Sequence, residues 1–468
     1  MKEKLQKLNE FEWLLPKGSR EKMRVAAKIV ANQAILRAIE DDAVQQLTNV
    51  ATLPGVVEPV VGLPDMHWGY GLPMGAVSAF DENEGVISAG LCGFDINCGI
   101  NLISTNLTVG EVEERKRELI NLLYQNVPVG VGSKGKIRLS PSELDEVLVK
   151  GVGWAVEKGY FTKEDQEHVE EKGRMDGADP DKVSLLAKKR GGPQLGTLGS
   201  GNHFLEIQRV TDVFDKEKTK EWGINGKGQV MVMLHCGSRG LGHQVATDYL
   251  KIQEEAVRKY NIWLPDRQLA CAPATSKEGQ DFFAAMKCAV NYSFANKAVM
   301  TLWIRETFEK VFGRSWKDME MKTLYSIAHN IVKLEEHLIG GERRKVYVHR
   351  KGATRAFPNI PVILAGSMGT ASYLCIGSEA AMEKTFGSSA HGAGRAMSRN
   401  AAIRKFPGRV VEQDLLRKGI VSRAPTPQSL AEEAPEAYKD VEEVINSVHG
   451  SGISPKIARF EPLGVIKG

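Results

Sequence analysis

The chain has 468 residues, of which 42% are hydrophobic and 26% charged, so it can bury a large core and is not a disordered protein. Its 62 basic and 58 acidic residues leave a net charge of +4, which restricts any nucleic-acid site to a local patch. Six cysteines without a CxxC pair exclude a disulfide scaffold and a zinc ribbon. Residues 1–13 lack an apolar leader, and no apolar run is long enough to span a membrane, so we expect a cytoplasmic protein with no membrane partner.

Helices and strands are predicted to interleave along the chain. In chain order we predict a helix over 31–50, strands over 56–61, 76–80, 85–88 and 100–107, a helix over 109–126, a polar surface stretch over 161–190, a strand over 229–234, helices from about 242 and over 278–312, and strands over 345–349 and 360–364. These elements do not alternate as regular βαβ units. We therefore predict an α+β fold, with a mixed sheet core and surrounding helices, in a single domain over residues 1–468.

Five clusters combine glycine with histidine, cysteine or aspartate. They are residues 62–73 (GLPDMHWGYGLP), 93–99 (GFDINCG), 199–206 (GSGNHFLE), 234–243 (LHCGSRGLGH) and 388–399 (SSAHGAGRAMSR). Glycine lets the backbone approach a ligand closely, and its exposed N–H groups bind anions. The repeated pairing of glycine with metal-ligating residue types therefore indicates a site for phosphate and metal.

Four residues of these clusters, together with His329 of a separate His329-Asn330 pair, could bind metal. They are Asp95, Cys98, His203, His235 and His329, which supply one carboxylate, one thiolate and three imidazoles. Such a set can hold two divalent ions with the thiolate bridging, and ligand softness by itself favours zinc. Taken singly, each has a structural alternative, because a lone histidine such as His67 is more often a hydrogen-bonded structural residue.

The segment 387–410 is the most basic stretch of the chain and contains no acidic residue. Gly392–Gly394 leads into a helix predicted from Arg395, which would place backbone donors and a helix N-terminus beside His391. Arg395 and Arg399 would then share one helix face. An exposed basic helix is the alternative, but the adjacent His-Gly-Ala-Gly sequence favours an anion site.

Four of these motifs together closely resemble the RtcB-type RNA ligases: DINCG, GSGNHFLE, HxGSRGLGHQ and HGAGR. The resemblance extends from about residue 24 to residue 468. It implies an α+β fold around a deep pocket that binds metal and nucleotide. It also implies a GTP- and manganese-dependent ligase that joins RNA 3′-phosphate or 2′,3′-cyclic phosphate ends to 5′-hydroxyl ends. The implied route runs through a guanylylated histidine and an RNA 3′-pp-5′-G intermediate, in tRNA splicing or RNA repair, often with the help of a small protein called archease.

The resemblance also assigns roles to residues. It implies that His391 is the nucleophile and that two manganese ions are held by Asp95, Cys98, His203, His235 and His329, with Cys98 touching both. The implied guanylate contacts are Asn202, His203, Phe204, Leu205, Glu206, His329, Asn330, Ala365, Gly366, Ser367, Met368, Ser372, His391, Gly392, Ala393, Gly394 and Lys467. Two departures are Met66 and Ala365, where the family commonly has glycine and proline.

Other questions stay open at this level. Arg190, Arg239, Arg395 and Arg399 are candidates for RNA phosphate contacts, because guanidinium groups match phosphate oxygens. The metal ligands fit a phosphoesterase that stops at hydrolysis equally well, and a non-enzymatic RNA-binding module is a further alternative; His391 and the 365–369 loop favour the ligase. The RNA itself could be tRNA halves or broken RNA.

The apolar residues 463–466 predict that the C-terminal tail docks against the body while adding little to core packing.

Overall fold

The computed structural model describes residues 1–468 and contains two large sheets. The first has seven strands, in the order Gln6–Lys7, Glu12–Leu15, Ala27–Val30, Val56–His67, Met74–Asp81, Glu342–Lys351 and Asn330–Ile339. The second has eight: Lys322–Ala328, Gly99–Thr108, Gln229–Cys236, Phe204–Val213, Lys456–Lys467, Ser372–Ile376 and Pro361–Leu364 in order, with Val421–Arg423 paired to Lys456–Lys467. Each sheet contains one parallel pair among antiparallel ones, so both are mixed.

Two short strand pairs and sixteen α-helices complete the fold. The pairs are Val86–Ile87 with Ala272–Pro273 and Ala353–Arg355 with Ser388–Ala390. The α-helices are Gln33–Ala38, Asp41–Val50, Ala89–Cys92, Val109–Asn126, Pro141–Lys150, Val152–Glu157, Lys163–Glu167, Leu185–Gly191, Lys216–Glu221, Arg239–Lys259, Lys277–Phe312, Glu379–Thr385, Arg399–Lys405, Gly408–Arg417, Pro427–Glu432 and Val441–Gly450. None of these helices is both long enough and apolar enough to cross a membrane.

The eight-stranded sheet is covered by apolar cores on both faces. Successive side chains of a strand point to opposite faces, so Val232 and Leu234 pack in one core while Met231 and Met233 pack in another. This two-sided burial explains why the strand reads as an unbroken apolar run. The 36-residue helix Lys277–Phe312 packs against the first of these cores and is buried on nearly every side.

Four predicted metal ligands lie together at one end of this sheet. Cys98 and His203 immediately precede strands, whereas His235 and His329 lie where strands finish. Because the four strands involved are antiparallel neighbours in register, their starts and finishes alternate along the same end of the sheet. The sheet thereby brings together side chains that are more than 200 residues apart in the chain.

The predicted α+β class with a mixed sheet core is confirmed, as are the helix over 109–126, the helix over 278–312 (which begins at 277) and the strand over 229–234. That the chain is a single domain stays a prediction. The single helix predicted over 31–50 is wrong: Ile39 and Glu40 are extended and separate two helices. The stretch 161–190 is not wholly on the surface, because Asp165 and Glu170 are buried in ion pairs.

Two errors concern the predicted site. The helix predicted from Arg395 begins at Arg399, because the Ser398 side chain caps that position and accepts from Ala401 N. The C-terminal tail does dock, but the expectation that it adds little to core packing is wrong. Residues 456–467 form an interior strand of the eight-stranded sheet, hydrogen-bonded to neighbours on both sides.

Candidate active site

The five predicted metal ligands converge at the end of the eight-stranded sheet. Cys98 Sγ lies 3.3 Å from His203 Nε2 and 3.1 Å from His235 Nε2. His235 Nε2 lies 3.2 Å from His329 Nε2, and His203 Nε2 lies 2.7 Å from an Asp95 carboxylate oxygen. The ligand atoms fall into two triads, Asp95–Cys98–His203 and Cys98–His235–His329. Within each triad the three ligand atoms lie within 4.8 Å of one another. Cys98 is the member that both triads share.

The protonation of His235 and His329 suits metal binding. His235 Nδ1 lies 3.1 Å from the Asn202 carbonyl, an acceptor, so Nδ1 carries the proton and Nε2 presents a lone pair. Burial, reinforced by neighbouring positive groups, holds the pKa of His235 and His329 well below the usual value, so both are neutral at pH 7. Two buried neutral imidazoles that face each other through their Nε2 atoms, beside a thiol and a carboxylate, form a donor set that fits divalent metal ions.

His391 is held by a carboxylate that sequence reasoning missed. Its Nδ1 lies 2.6 Å from Asp65 Oδ2, and its backbone N–H donates to the same oxygen at 3.0 Å. Asp65 is fully buried, and the His391 ring lies 4.5 Å from the His329 ring, centroid to centroid. With Nδ1–H donated to Asp65, Nε2 is left as the free nitrogen. Gly352 allows this packing, because it has φ +61° and a methyl group there would lie 3.0 Å from His391 Cε1.

Asp95, Cys98, His235 and His391 line one cavity of about 360 Å³. Eleven predicted guanylate-contacting residues line it: Asn202, Phe204, Asn330, Ala365, Gly366, Ser367, His391, Gly392, Ala393, Gly394 and Lys467. His203, Glu206, His329, Met368 and Ser372 lie behind this wall, and the Leu205 side chain packs in the core on the opposite face of the sheet. The glycine-rich loops 365–367 and 391–394 are joined by backbone hydrogen bonds, so they form one continuous wall.

Lys467 lines the cavity, and Glu206 is a buried carboxyl group on the neighbouring strand. Lys467 is buried, donates to the Asn202 carbonyl at 3.1 Å and lies 5.3 Å from the centre of the Phe204 ring. Glu206 accepts from Gln208 at 2.7 Å through one oxygen, while its other oxygen is buried without a partner. Burial raises the pKa of Glu206 to about 7. A buried acceptor and a buried ammonium can together bind a ligand that carries both donors and acceptors.

The four arginines proposed for RNA occupy different settings. Arg395 and Arg399 line the cavity, but both pair with glutamates: Arg395 Nη1 lies 3.2 Å from Glu433, and Arg399 Nε lies 2.9 Å from Glu432. The patch that looked purely basic in sequence is therefore partly neutralised by a distant segment. Arg190 and Arg239 lie outside the cavity wall, where Arg190 donates to Gln244 and Arg239 to Thr197. Their contact with RNA stays a prediction.

Sequence reasoning also missed Tyr438 and Lys351, both of which line the cavity. Tyr438 is joined to the pocket by a backbone bridge to Arg395 and donates a hydrogen bond to Glu433. Lys351 donates to the carbonyls of Tyr70 and Gly90, and burial lowers its pKa to about 7. No local motif surrounds either residue. For the missed part of the site as a whole, the only sequence signal was the glycine cluster at residues 62–73, which contains Asp65 and Tyr70.

A histidine oriented by a carboxylate, next to two triads that could hold metal and two glycine-rich loops, is typical of metal-dependent enzymes of phosphoryl or nucleotidyl transfer. The model of one enzyme family, RtcB, described as tRNA-splicing ligase RtcB, matches residues 46–468. The chain belongs to the RtcB family.

Curated relatives match the chain from end to end. It is 52% identical to the tRNA-splicing ligase RtcB of Archaeoglobus fulgidus, over 99% of both chains. It is 51% identical to the protein of that name from Methanococcus maripaludis over 100% of both, and 51% identical to that from Thermococcus kodakarensis over 99% of both.

Proposed function

We propose that the protein is an RNA ligase that uses GTP and two manganese ions. It joins RNA ending in a 3′-phosphate or 2′,3′-cyclic phosphate to RNA beginning with a 5′-hydroxyl, through guanylylated His391 and an RNA 3′-pp-5′-G intermediate. The full-length likeness to relatives named tRNA-splicing ligase supports RNA ligation and makes tRNA halves the first substrate to test. Broken RNA with the same ends would be joined by the same chemistry, and archease is a candidate partner.

One observation carries the proposal: His391 is held by Asp65 with its Nε2 free, against the triad that contains His329. A phosphoesterase that attacks with metal-activated water needs metal ligands but no nucleophilic histidine at a nucleotide-sized cavity. A non-enzymatic RNA-binding module needs neither the metal ligands nor the oriented histidine. The pairing of His391 with the metal triads therefore favours group transfer over hydrolysis or binding.

The metal ions would be held by the two triads, with Cys98 contributing its sulfur to both. When bound, they would neutralise phosphate charge and orient the reacting groups. A set of three imidazoles, a thiolate and a carboxylate is soft enough for zinc as well. The choice of manganese therefore rests on the family resemblance, and reconstitution of metal-free protein with each ion would decide it.

In the first step, His391 Nε2 would attack the α-phosphorus of GTP. An N–P bond forms, the P–O bond to pyrophosphate breaks, and pyrophosphate leaves. With Nδ1–H donated to Asp65, Nε2 would attack through its lone pair, and the positive charge that develops on the ring is offset by the Asp65 carboxylate at 2.6 Å. Lys467 and Glu206 would hold the guanine, while the N–H groups of the glycine-rich loops would hold phosphate oxygens.

The later steps return His391 to its starting state. An oxygen of the RNA 3′-phosphate attacks the phosphorus of the adduct, so the N–P bond breaks and a P–O–P bond forms. The 5′-hydroxyl then attacks the RNA 3′-phosphorus, loses its proton and releases GMP, which leaves a 3′,5′-phosphodiester. A cyclic phosphate must first be opened by water to a 3′-phosphate. Arg190, Arg239, Arg395 and Arg399 are the proposed phosphate contacts for these strands.

The end chemistry of the RNA tests this function directly. We expect joining of a 3′-phosphate strand, or a 2′,3′-cyclic phosphate strand, to a 5′-hydroxyl strand when GTP and manganese are both present. A strand pair with a 3′-hydroxyl and a 5′-phosphate should not be joined. Joining of that second pair, or release of inorganic phosphate without joining, would contradict the proposal and favour a different ligase or a phosphatase.

Replacing Asp65 with asparagine should slow guanylylation of His391 by about 100-fold or more. An amide can present either its oxygen or its NH₂ group to Nδ1, and it cannot offset the charge on the imidazolium; the same change in a catalytic triad costs about 10⁴-fold. The rate is measured with labelled GTP in a single turnover. A rate within about threefold of the wild type, with metal content unchanged, would remove Asp65 from the reaction.

Replacing Lys467 with methionine should raise the GTP concentration needed for guanylylation by about tenfold or more. Methionine keeps the apolar part of the side chain in the sheet, so this variant tests the ammonium without deleting an interior strand. A hydrogen bond to a charged group contributes about 1.5–3 kcal/mol, which corresponds to about 10- to 150-fold in affinity. An unchanged GTP dependence would show that Lys467 only pairs with Glu433 and the Asn202 carbonyl.

A further inference from the structure

Three aromatic rings are in contact between the protein surface and the cavity. Tyr70 and Phe94 both line the cavity, with ring centroids 5.3 Å apart and planes at 67°. His243, which is exposed, stacks on Phe94 with centroids 5.3 Å apart and planes at 29°. We call these three residues the aromatic row. None of them takes part in the steps described above.

Core packing explains the aromatic row only in part, because Tyr70 and Phe94 pack against the core that contains Val232 and Leu234 but are not enclosed by it. Tyr70 and Phe94 are only half-buried and face a cavity whose other walls carry His67, Asp95 and Lys351. Apolar rings that face a polar cavity gain little from burial, whereas flat rings left partly open can stack on the bases of a nucleic acid. Single-stranded RNA ends are commonly held in this way, because every base has a π-face.

The position of the aromatic row suits one of the two RNA strands. Phe94 directly precedes Asp95, which belongs to one metal-ligand triad, whereas His391 lies against His329 of the other. The strand whose 3′-phosphate carries the guanylate must lie beside His391. The strand that arrives with a free 5′-hydroxyl therefore has the Asp95 side of the cluster available to it.

An exposed arginine lies beside the solvent end of the aromatic row. Arg190 is exposed, and its Nη1 donates at 2.7 Å to the side chain of Gln244, the residue after His243. The rest of the guanidinium is free to donate to a phosphate. A nucleotide whose base lies on the aromatic row would thus have a cation near the phosphate that follows it.

We propose that the aromatic row is the stacking site for the terminal base of the 5′-hydroxyl RNA strand. The inference rests on the proposed function and adds the site that holds the second substrate. Stacking accepts any base, so the site would position the 5′-hydroxyl without selecting sequence. Phe94 would be the central ring, flanked by Tyr70 on the cavity side and His243 on the solvent side.

The test pairs a protein change with a substrate change. The joining step is measured with RNA already activated as 3′-pp-5′-G and with a 5′-hydroxyl strand that has either a normal or an abasic first nucleotide. Stacking on an aromatic side chain is worth about 1–3 kcal/mol per base, so Phe94→Leu should raise the KM for the normal strand about 5- to 150-fold. The abasic strand should show a similar loss with wild-type protein and little further loss with Phe94→Leu. Phe94→Tyr should restore the wild-type KM.

Two patterns of loss would overturn the inference. One is an additive loss, in which Phe94→Leu and the abasic strand each act fully in the presence of the other. The other is coupling between Phe94 and an abasic nucleotide in the 3′-phosphate strand instead. Guanylylation of His391 is measured on the same samples. If wild-type protein is not guanylylated the proposed function fails, whereas if it is guanylylated and joins RNA but Phe94→Leu behaves like wild type, only the inference fails.

Discussion

Replacing His391 with alanine is expected to abolish the covalent guanylate adduct while the protein still binds metal. The five proposed metal ligands do not include His391, and its ring only packs against that of His329. Of the three histidines that line the cavity, His67 and His235 face backbone carbonyls and only His391 pairs with a carboxylate. The measurement is retention of label from α-labelled GTP on denatured protein, with metal content determined in parallel.

A matched control and a chemical signature make this result specific. His168 is an exposed histidine outside the cavity, so His168→Ala should form the adduct normally. A phosphoramidate on imidazole is labile in acid and stable in base, so the wild-type label should be lost in mild acid and kept in base. Adduct of normal yield on His391→Ala would move the nucleophile elsewhere.

Replacing Cys98 with serine is expected to weaken both metal positions at once. Cys98 Sγ is the atom shared by the two triads, and a serine hydroxyl stays protonated at pH 7 and bridges poorly. Loss of an outer-shell partner typically weakens metal binding 10- to 100-fold, so loss of the shared ligand should cost more than about 100-fold. Guanylylation and joining should fall together, because both need the same ions.

Metal analysis of purified protein checks this prediction. Cys375→Ser is the control, since Cys375 is also a buried free thiol but lies in a strand away from the cavity. It should keep the wild-type metal content. Two full equivalents of metal on Cys98→Ser, with normal activity, would rule out the shared ligand.

Local sequence signals predicted the fold class and several elements. The strand over 229–234 could be recognised because both faces of its sheet are buried, and the helix over 109–126 because its apolar residues recur at helical spacing. Local signals failed where two rules compete. Arg395 follows Gly394, which suggested a helix start. Gly394 has φ +71°, which is not a helical conformation, and the Ser398 side chain caps a helix that begins at Arg399 instead. Apolar residues 463–466 indicated docking, yet only the pairing with residues 204–213 puts them inside a sheet.

The candidate site was predictable where its parts lie in compact motifs. The proposed metal ligands fall in glycine-containing clusters or beside asparagine, and sheet register then brings them together. The Asp65–His391 contact spans 326 residues, and no spacing rule predicts such a pair. The same holds for Glu433, which neutralises the arginine patch from a separate segment. Long-range partners of this kind are set by tertiary packing, so only the structure reveals them.

The central claim is that His391 becomes covalently guanylylated, and mapping the adduct tests it most directly. Wild-type protein is incubated with GTP and manganese, digested under basic conditions to preserve an N–P bond, and its peptides are analysed by mass spectrometry. We predict a single guanylylated peptide, the one that contains His391, with the modification on the imidazole. A guanylate on a lysine such as Lys351 or Lys467, or the complete absence of adduct from protein that nevertheless joins RNA, would contradict the account.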